Sequence, residues 1–264
     1  MNNNKQHSIL KAENLSVGYQ SKKKKTVIAL NINFELFPGE LIGLVGANGI
    51  GKSTLLRTIT QLQEPLEGFI LIDKSPLKSY SNQLLATKLS LVLTDKSLSK
   101  NLTVFELVSL GRQPYTNWIG KLTEKDISIV NKALDQTQTL DLAQKKCFEL
   151  SDGQLQKVLI ARALAQDTPL IILDEPTTHL DMYHKAYILK LLQKIAKTAN
   201  KTILFSSHEI NLAIQLCDKM LVMTTENTFY NQPCKLIEQG VFQTLFPKDI
   251  VEFDTVSGSF VVKK

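Results

Sequence analysis

Gly46-Ala47-Asn48-Gly49-Ile50-Gly51-Lys52-Ser53-Thr54 is the most specific segment of this chain of 264 residues. It fits the pattern G-x-x-x-x-G-K-[ST]. Before it, Leu41-Ile42-Gly43-Leu44-Val45 is an apolar run that reads as a buried strand. After it, Leu55-Leu56-Arg57-Thr58-Ile59-Thr60 can continue as a helix. Glycines let a backbone bend tightly and approach an anion closely. Successive N–H groups at a helix N-terminus then form a nest whose dipole favours negative charge. In that setting Lys52 reaches β- and γ-phosphates, and the Ser53 hydroxyl holds Mg²⁺.

Composition sets the frame around that loop. The length suits one large domain, or a core with one insertion. Apolar residues at 43% suffice for a substantial core, and the net charge is +6. Much of that charge can come from Lys22-Lys23-Lys24-Lys25, so it does not imply a nucleic-acid surface. That run reads as a solvated hairpin tip between two strands, or alternatively as a contact to phosphate or anionic lipid. Cys147, Cys217 and Cys234 form no C-x-x-C pair and read as small buried hydrophobes in a reducing compartment. The start, Met1-Asn2-Asn3-Asn4-Lys5, lacks the apolar stretch of a signal peptide, and no apolar run approaches the ~20 residues that span a bilayer. The reading is a soluble chain that meets a membrane only through a partner.

Strands are expected at residues 9–12, 15–17 and 26–36, with Pro38-Gly39-Glu40 turning the chain into the loop strand. Further strands are expected at 68–72, 89–93, 170–173, 202–205 and 220–223, and a helix over 181–199. Residues 101–166 are helical in pattern, interrupted near Gly111-Arg112-Gln113-Pro114-Tyr115. Strands alternating with helices imply a parallel sheet with crossovers, into which the helical stretch is inserted.

Two further stretches carry chemistry. Leu170-Ile171-Ile172-Leu173 buries a strand, and Asp174 and Glu175 emerge at its C-terminal end, the edge where open α/β sheets hold ligands. Asp174 there can hold Mg²⁺, and Glu175 can take a proton from an attacking water. Leu150-Ser151-Asp152-Gly153-Gln154 contains a capping box, Ser151 with Gln154, that opens a helix over 155–165. His208-Glu209 does not begin a zinc motif, because Leu212 stands where H-E-x-x-H needs a histidine, and His179 reads as a loop residue.

In this order the motifs resemble the nucleotide-binding subunit of an ATP-binding-cassette transporter over residues 10–223. Gly46 to Thr54 correspond to Walker A. Leu150 to Gln154 resemble the family signature L-S-G-G-Q, and Leu173-Asp174-Glu175 ends Walker B. Leu180-Asp181 matches the D-loop, His208 falls at the switch histidine, and Tyr19 sits where the family stacks an aromatic ring on adenine. The resemblance implies an α/β P-loop NTPase (RecA-like) core with an N-terminal antiparallel β subdomain and an inserted α-helical subdomain. The implied division is 1–93 with 160–230 for the core, 94–159 for the helical subdomain and 231–264 for a C-terminal extension. It implies ATP and Mg²⁺ as ligands, with ATP hydrolysis as the activity. It also implies a head-to-tail dimer, in which Ser151, Gly153 and Gln154 of one copy, with Asp181, close over the nucleotide in the Walker A loop of the other.

The chain departs from the family pattern twice. Thr94 stands where the family has a glutamine that approaches Mg²⁺ and relays nucleotide state to the membrane subunit; Asp95 is an alternative oxygen donor. Asp152 replaces the first signature glycine and is expected to point away from the phosphate. Leu110-Gly111-Arg112-Gln113-Pro114-Tyr115 and Asp167-Thr168-Pro169 resemble ATPase subunits of iron-siderophore, haem and cobalamin importers. The implied partners are a second copy, transmembrane permease subunits and, indirectly, a substrate-binding protein, at the cytoplasmic face of the plasma membrane and without nucleic acid. An ATPase acting on ribosomes or DNA, a regulatory subunit without turnover, and an exporter are the alternatives.

Overall fold

A computed structural model describes residues 7–21, 24–93, 101–247 and 249–263. The strands run β1 (Leu10–Gln20), β2 (Lys25–Leu36), β3 (Leu41–Gly46), β4 (Glu67–Ile72), β5 (Ser75–Pro76), β6 (Leu89–Val92), β7 (Leu170–Leu173), β8 (Thr202–Ser206), β9 (Lys219–Met223), β10 (Thr228–Asn231), β11 (Val251–Asp254) and β12 (Ser259–Val262). The α-helices are α1 (Lys52–Ile59), α2 (Asn82–Leu85), α3 (Val104–Ser109), α4 (Glu124–Gln136), α5 (Asp152–Ala165), α6 (Met182–Thr198), α7 (Ile210–Leu216) and α8 (Pro233–Glu238).

One sheet has the order β10-β9-β3-β8-β7-β6 and is parallel except for β10 at its edge. β3, β7 and β8 are buried at every position, as strands covered on both faces must be. Their side chains alternate between two cores. Leu41, Val45, Ile171, Leu173, Ile203 and Phe205 join the core shared with α3, α4, α5 and α6. Ile42, Leu44, Leu170, Ile172 and Leu204 join the core shared with α1 and a second, antiparallel sheet of order β2-β1-β4-β5. The glycine loop leaves the C-terminal end of β3, and the Asp174–Glu175 pair leaves that of β7. β8 lies between these two strands.

Sequence and structure differ at three places. Residues 10–12 and 15–17 belong to one strand, β1, which stays paired through register shifts around Asn14, a residue at φ 47°. A bulge of this kind interrupts the alternation without ending the strand. α5 runs unbroken to Ala165 across the expected boundary at 159 and buries Val158 to Ala161 in the common core. Of the cysteines, Cys147 and Cys217 are buried as expected, but Cys234 on α8 is exposed. Of the lysine run, Lys22 and Lys23 lie outside the described residues. Ser21 N–H donates to Lys24 O across the β1–β2 turn, and Lys25 pairs with Glu67 at 2.7 Å.

Arg112 carries a buried ion pair within the helical insertion and a hydrogen bond that ties the insertion to the end of α5. Arg112, in a 3₁₀ turn, donates from Nε to Asp126 Oδ1 at 2.9 Å and from Nη1 to Ala165 O at 2.8 Å. Its guanidinium lies 4.1 Å over the Tyr115 ring, whose hydroxyl donates to Gln166 O at 2.9 Å. Among the described residues, no helix is long and apolar enough to cross a membrane.

Candidate active site

The loop after β3 is shaped by glycines in two different ways. Gly51 has φ 106°, and a Cβ there would stand 2.3 Å from Ile28 Cγ2, so no side chain fits. Gly49 has φ 73° and faces open space, with nothing within 4 Å of where a Cβ would be. The loop thus opens outward, with room for a phosphate against its backbone. Gly51 is also the N-cap of α1, which has no side-chain cap. By contrast, Thr103, Thr123, Ser151 and Asp181 each cap their own helix with a side-chain oxygen. The first-turn N–H groups of α1 are left for a ligand.

Lys52 is only 6% exposed. Its Nζ donates to Gly46 O at 3.0 Å and Ala47 O at 3.2 Å, folding the side chain back over its own loop. Burial lowers its pKa from the ordinary lysine value, while the charges of Glu175 and Asp174 act in the other direction. Ile50 packs on the core beneath the loop, and Asn48 is exposed. Tyr19, 52% exposed at the end of β1, bonds through its hydroxyl to Thr54 Oγ1 at 3.1 Å. Its half-exposed ring is therefore held beside the loop.

The carboxylates converge on the same edge. Ser53 Oγ donates to Asp174 Oδ1 at 3.3 Å, and Ser206 Oγ donates to the same oxygen at 2.7 Å. Ser206 Oγ also accepts Glu175 N–H at 2.9 Å. Glu175 sits at φ 49°, in the left-handed region, and that bond helps hold it there. Its side chain is gripped from both sides: Thr178 Oγ1 donates to Oε2 at 3.1 Å, and His208 Nε2 lies 2.6 Å from Oε1. A cavity of about 20 Å³ is lined by Leu93, Asp174, Glu175, Thr178 and His179 together with Gln156 and Leu159 of α5. That is room for one water. The hydroxyl of Ser53 and the carboxylate of Asp174 are hard oxygen donors, which fit Mg²⁺.

Ser151, Gln154 and Asp181 form their hydrogen bonds apart from this cluster. Ser151 and Gln154 form the expected capping box: Ser151 Oγ accepts Gln154 N–H at 3.3 Å, and Gln154 Oε1 accepts Ser151 N–H at 3.0 Å. Asp152 is exposed in the first turn of α5. Asp181 is the N-cap of α6, and bonds from His184 lower its carboxyl pKa from the ordinary value. Thr94 and Asp95 lie outside the described residues. His179 is an exposed loop residue at φ 65°. Sequence reasoning passed over Ser206, Thr178 and His184. Ser206 left one signal, a hydroxyl in a strand that is otherwise almost wholly apolar and directly precedes the switch histidine segment.

A phosphate-cradling loop, a hydroxyl–carboxylate pair and a carboxylate–imidazole pair on one sheet edge define a P-loop nucleotide hydrolase. The family profile described as ABC transporter matches residues 29–178. The achromobactin transport ATP-binding protein CbrD of Dickeya dadantii is 37% identical over 236 residues, 89% of this chain and 86% of that one. A solved structure of an inward-facing transporter, described as of metal-chelate type, superposes with a TM-score of 0.78 at 28% identity, covering 96% of this chain and 95% of that one. A dimeric ATP-binding cassette in a post-hydrolysis state with ADP and Pi superposes with a TM-score of 0.72 at 27% identity, covering 85% of this chain and 98% of that one. The chain belongs to the ABC transporter family, as an ATP-binding and ATP-hydrolysing subunit.

Proposed function

We propose that this chain energises the import of a ferric siderophore or a similar metal chelate through a separate membrane permease, working as a head-to-tail pair. ATP lies with its phosphates on the Gly46–Thr54 backbone and its adenine on Tyr19. Lys52 gives up its two carbonyl contacts in exchange for phosphate oxygens, an exchange its burial favours because a phosphate is the stronger partner. Ser53 and Asp174 would hold Mg²⁺, with Thr94 as the third residue assigned to it from the sequence; the bound ion would supply neutralisation of the charge on the β- and γ-phosphates. Glu175 takes the proton of the attacking water, and His208, bonded to Glu175 at 2.6 Å, stays beside the γ-phosphate. Ser151, Gly153 and Gln154 of the second copy, with Asp181, complete the site from across the interface. Hydrolysis then releases the two copies and resets the permease.

The observation that carries the hydrolytic part is the Glu175 carboxylate, pinned by Thr178 and His208 beside a cavity sized for one water. The import part rests on CbrD and the metal-chelate type transporter as relatives. The complex works at the cytoplasmic face of the membrane. Glu175→Gln should bind ATP, turn over roughly 10²–10⁴-fold more slowly, and elute as a dimer in ATP but as a monomer in ADP. A monomer under both nucleotides contradicts the paired site. With its permease in proteoliposomes, the wild-type chain should drive ATP-dependent uptake of a ferric siderophore or related chelate. Efflux instead would reverse the direction assigned here.

A further inference from the structure

α6 begins at a double contact. Asp181 Oδ1 accepts the backbone N–H of His184 at 2.8 Å, which by itself caps the helix. The His184 ring adds a second link, with Nδ1 at 2.9 Å from each Asp181 oxygen. Facing two carboxylate oxygens, Nδ1 carries the proton and donates it. The rest of the ring lies against the first turn of α5. A Cβ on Gly153 would come to 3.1 Å from His184 Cδ2, 3.6 Å from Cγ and 3.7 Å from Nε2. Gly153 thus leaves open the space His184 fills. Tyr183 meets the ring edge-on, at 5.5 Å between centroids and 89° between planes. The side chain is half-exposed, so this is a mechanical contact and not a core interaction.

The geometry points to His184 as a positioning residue. Its Nδ1–H bond to Asp181 presses the ring onto Gly153 and locks the start of α6 to the start of α5. The two segments then present themselves to a second copy as one body. This rests on the head-to-tail reading above, in which both segments face the partner's nucleotide.

The test is steady-state ATP hydrolysis by the full chain in complex with its permease, with ATP binding followed separately by a fluorescent ATP analogue. His184→Ala should lower kcat about three- to tenfold, the worth of one positioning hydrogen bond, with KM for ATP changed less than about twofold. In His184→Asn, Nδ2 takes the place of Nδ1 and retains most of kcat. Gly153→Ala forces the ring away and should also lower kcat. In the double variant Gly153→Ala/His184→Ala the clash is gone, so its loss of kcat should be smaller than the product of the two single losses. A kcat for His184→Ala within twofold of wild type overturns the proposal. So does a double variant whose loss is the product of the two single losses. Ser151→Ala separates the two readings: if it leaves kcat unchanged while Gly153 and His184 remain coupled, the cross-subunit site fails and the contact stands.

Discussion

Lys52 and Arg112 are both buried cations, 6% and 5% exposed, and they are treated in opposite ways. Arg112 is neutralised within the fold by Asp126, by the Ala165 carbonyl and by the Tyr115 ring. Lys52 is held by two carbonyl oxygens of its own loop, and among the described residues no carboxylate hydrogen-bonds it. Burying a charge is costly unless it is paired. A cation satisfied internally fastens two parts of the chain together. One hydrogen-bonded only by carbonyl dipoles keeps its strongest partnership for a ligand. The difference marks which buried charge is structural and which is functional.

The largest expected effect breaks the structural member. Asp126→Asn leaves Arg112 buried without its counter-charge and should cost about 3–5 kcal/mol of stability, read as a lowered urea or thermal midpoint. The fraction that remains folded should hydrolyse ATP normally, since Asp126 is remote in chemistry from the phosphate loop. A variant as stable as wild type would mean that Arg112 is satisfied without Asp126. Lys52→Ala should do the reverse. ATP hydrolysis falls roughly 10²–10³-fold or more, while the midpoint stays unchanged or rises, because an ammonium held only by carbonyls has left the interior. A marked drop in midpoint would place Lys52 with Arg112.

These two residues also differ in how legible they were. Lys52 was identifiable at once because its loop is contiguous: local backbone geometry fixes a G-x-x-x-x-G-K-[ST] site, and the same holds for the Ser151–Gln154 capping box. The parallel strands were equally readable, since burial on both faces leaves an unbroken apolar run. Arg112 was noticed only as part of a family-like stretch, because its partners Asp126 and Ala165 are brought to it by tertiary packing. Ser206, Thr178 and His184 escaped for the same reason. Each acts on a residue that the sequence did flag, at a distance along the chain or through a rotamer. The run of α5 to Ala165 was legible as the helix over 155–165, whereas the bulge at Asn14 was hidden because register shifts follow packing, not local pattern.

pH sharpens the same comparison. Bonds from Thr123 and from Arg112 hold the Asp126 carboxyl down at about 2, against an ordinary 3.8. A depressed carboxylate stabilises the fold at pH values above its unfolded pKa and loses that contribution as pH falls through the folded value. The stability gap between wild type and Asp126→Asn should therefore be full above pH 3.8 and close as pH drops toward about 2. Denaturation midpoints of both proteins across that range measure it. A gap that stays constant would show that the Asp126 charge is not what secures Arg112.

The smallest effect concerns the ring above Arg112. Tyr115→Phe keeps the aromatic face 4.1 Å from the guanidinium and removes only the hydroxyl that donates to Gln166 O. Gln166 in turn donates from Nε2 to Ala86 O at 2.7 Å and Leu89 O at 3.0 Å, so it ties the end of α5 to the start of β6. Losing one part-exposed hydrogen bond should cost about 0.5–1.5 kcal/mol, with ATP hydrolysis unchanged. Tyr115→Leu removes the cation–π face as well and should cost about a further 0.5–1 kcal/mol. If the leucine variant is no worse than the phenylalanine one, the ring contributes nothing to holding Arg112, and its neutralisation is the work of Asp126 and the Ala165 carbonyl alone.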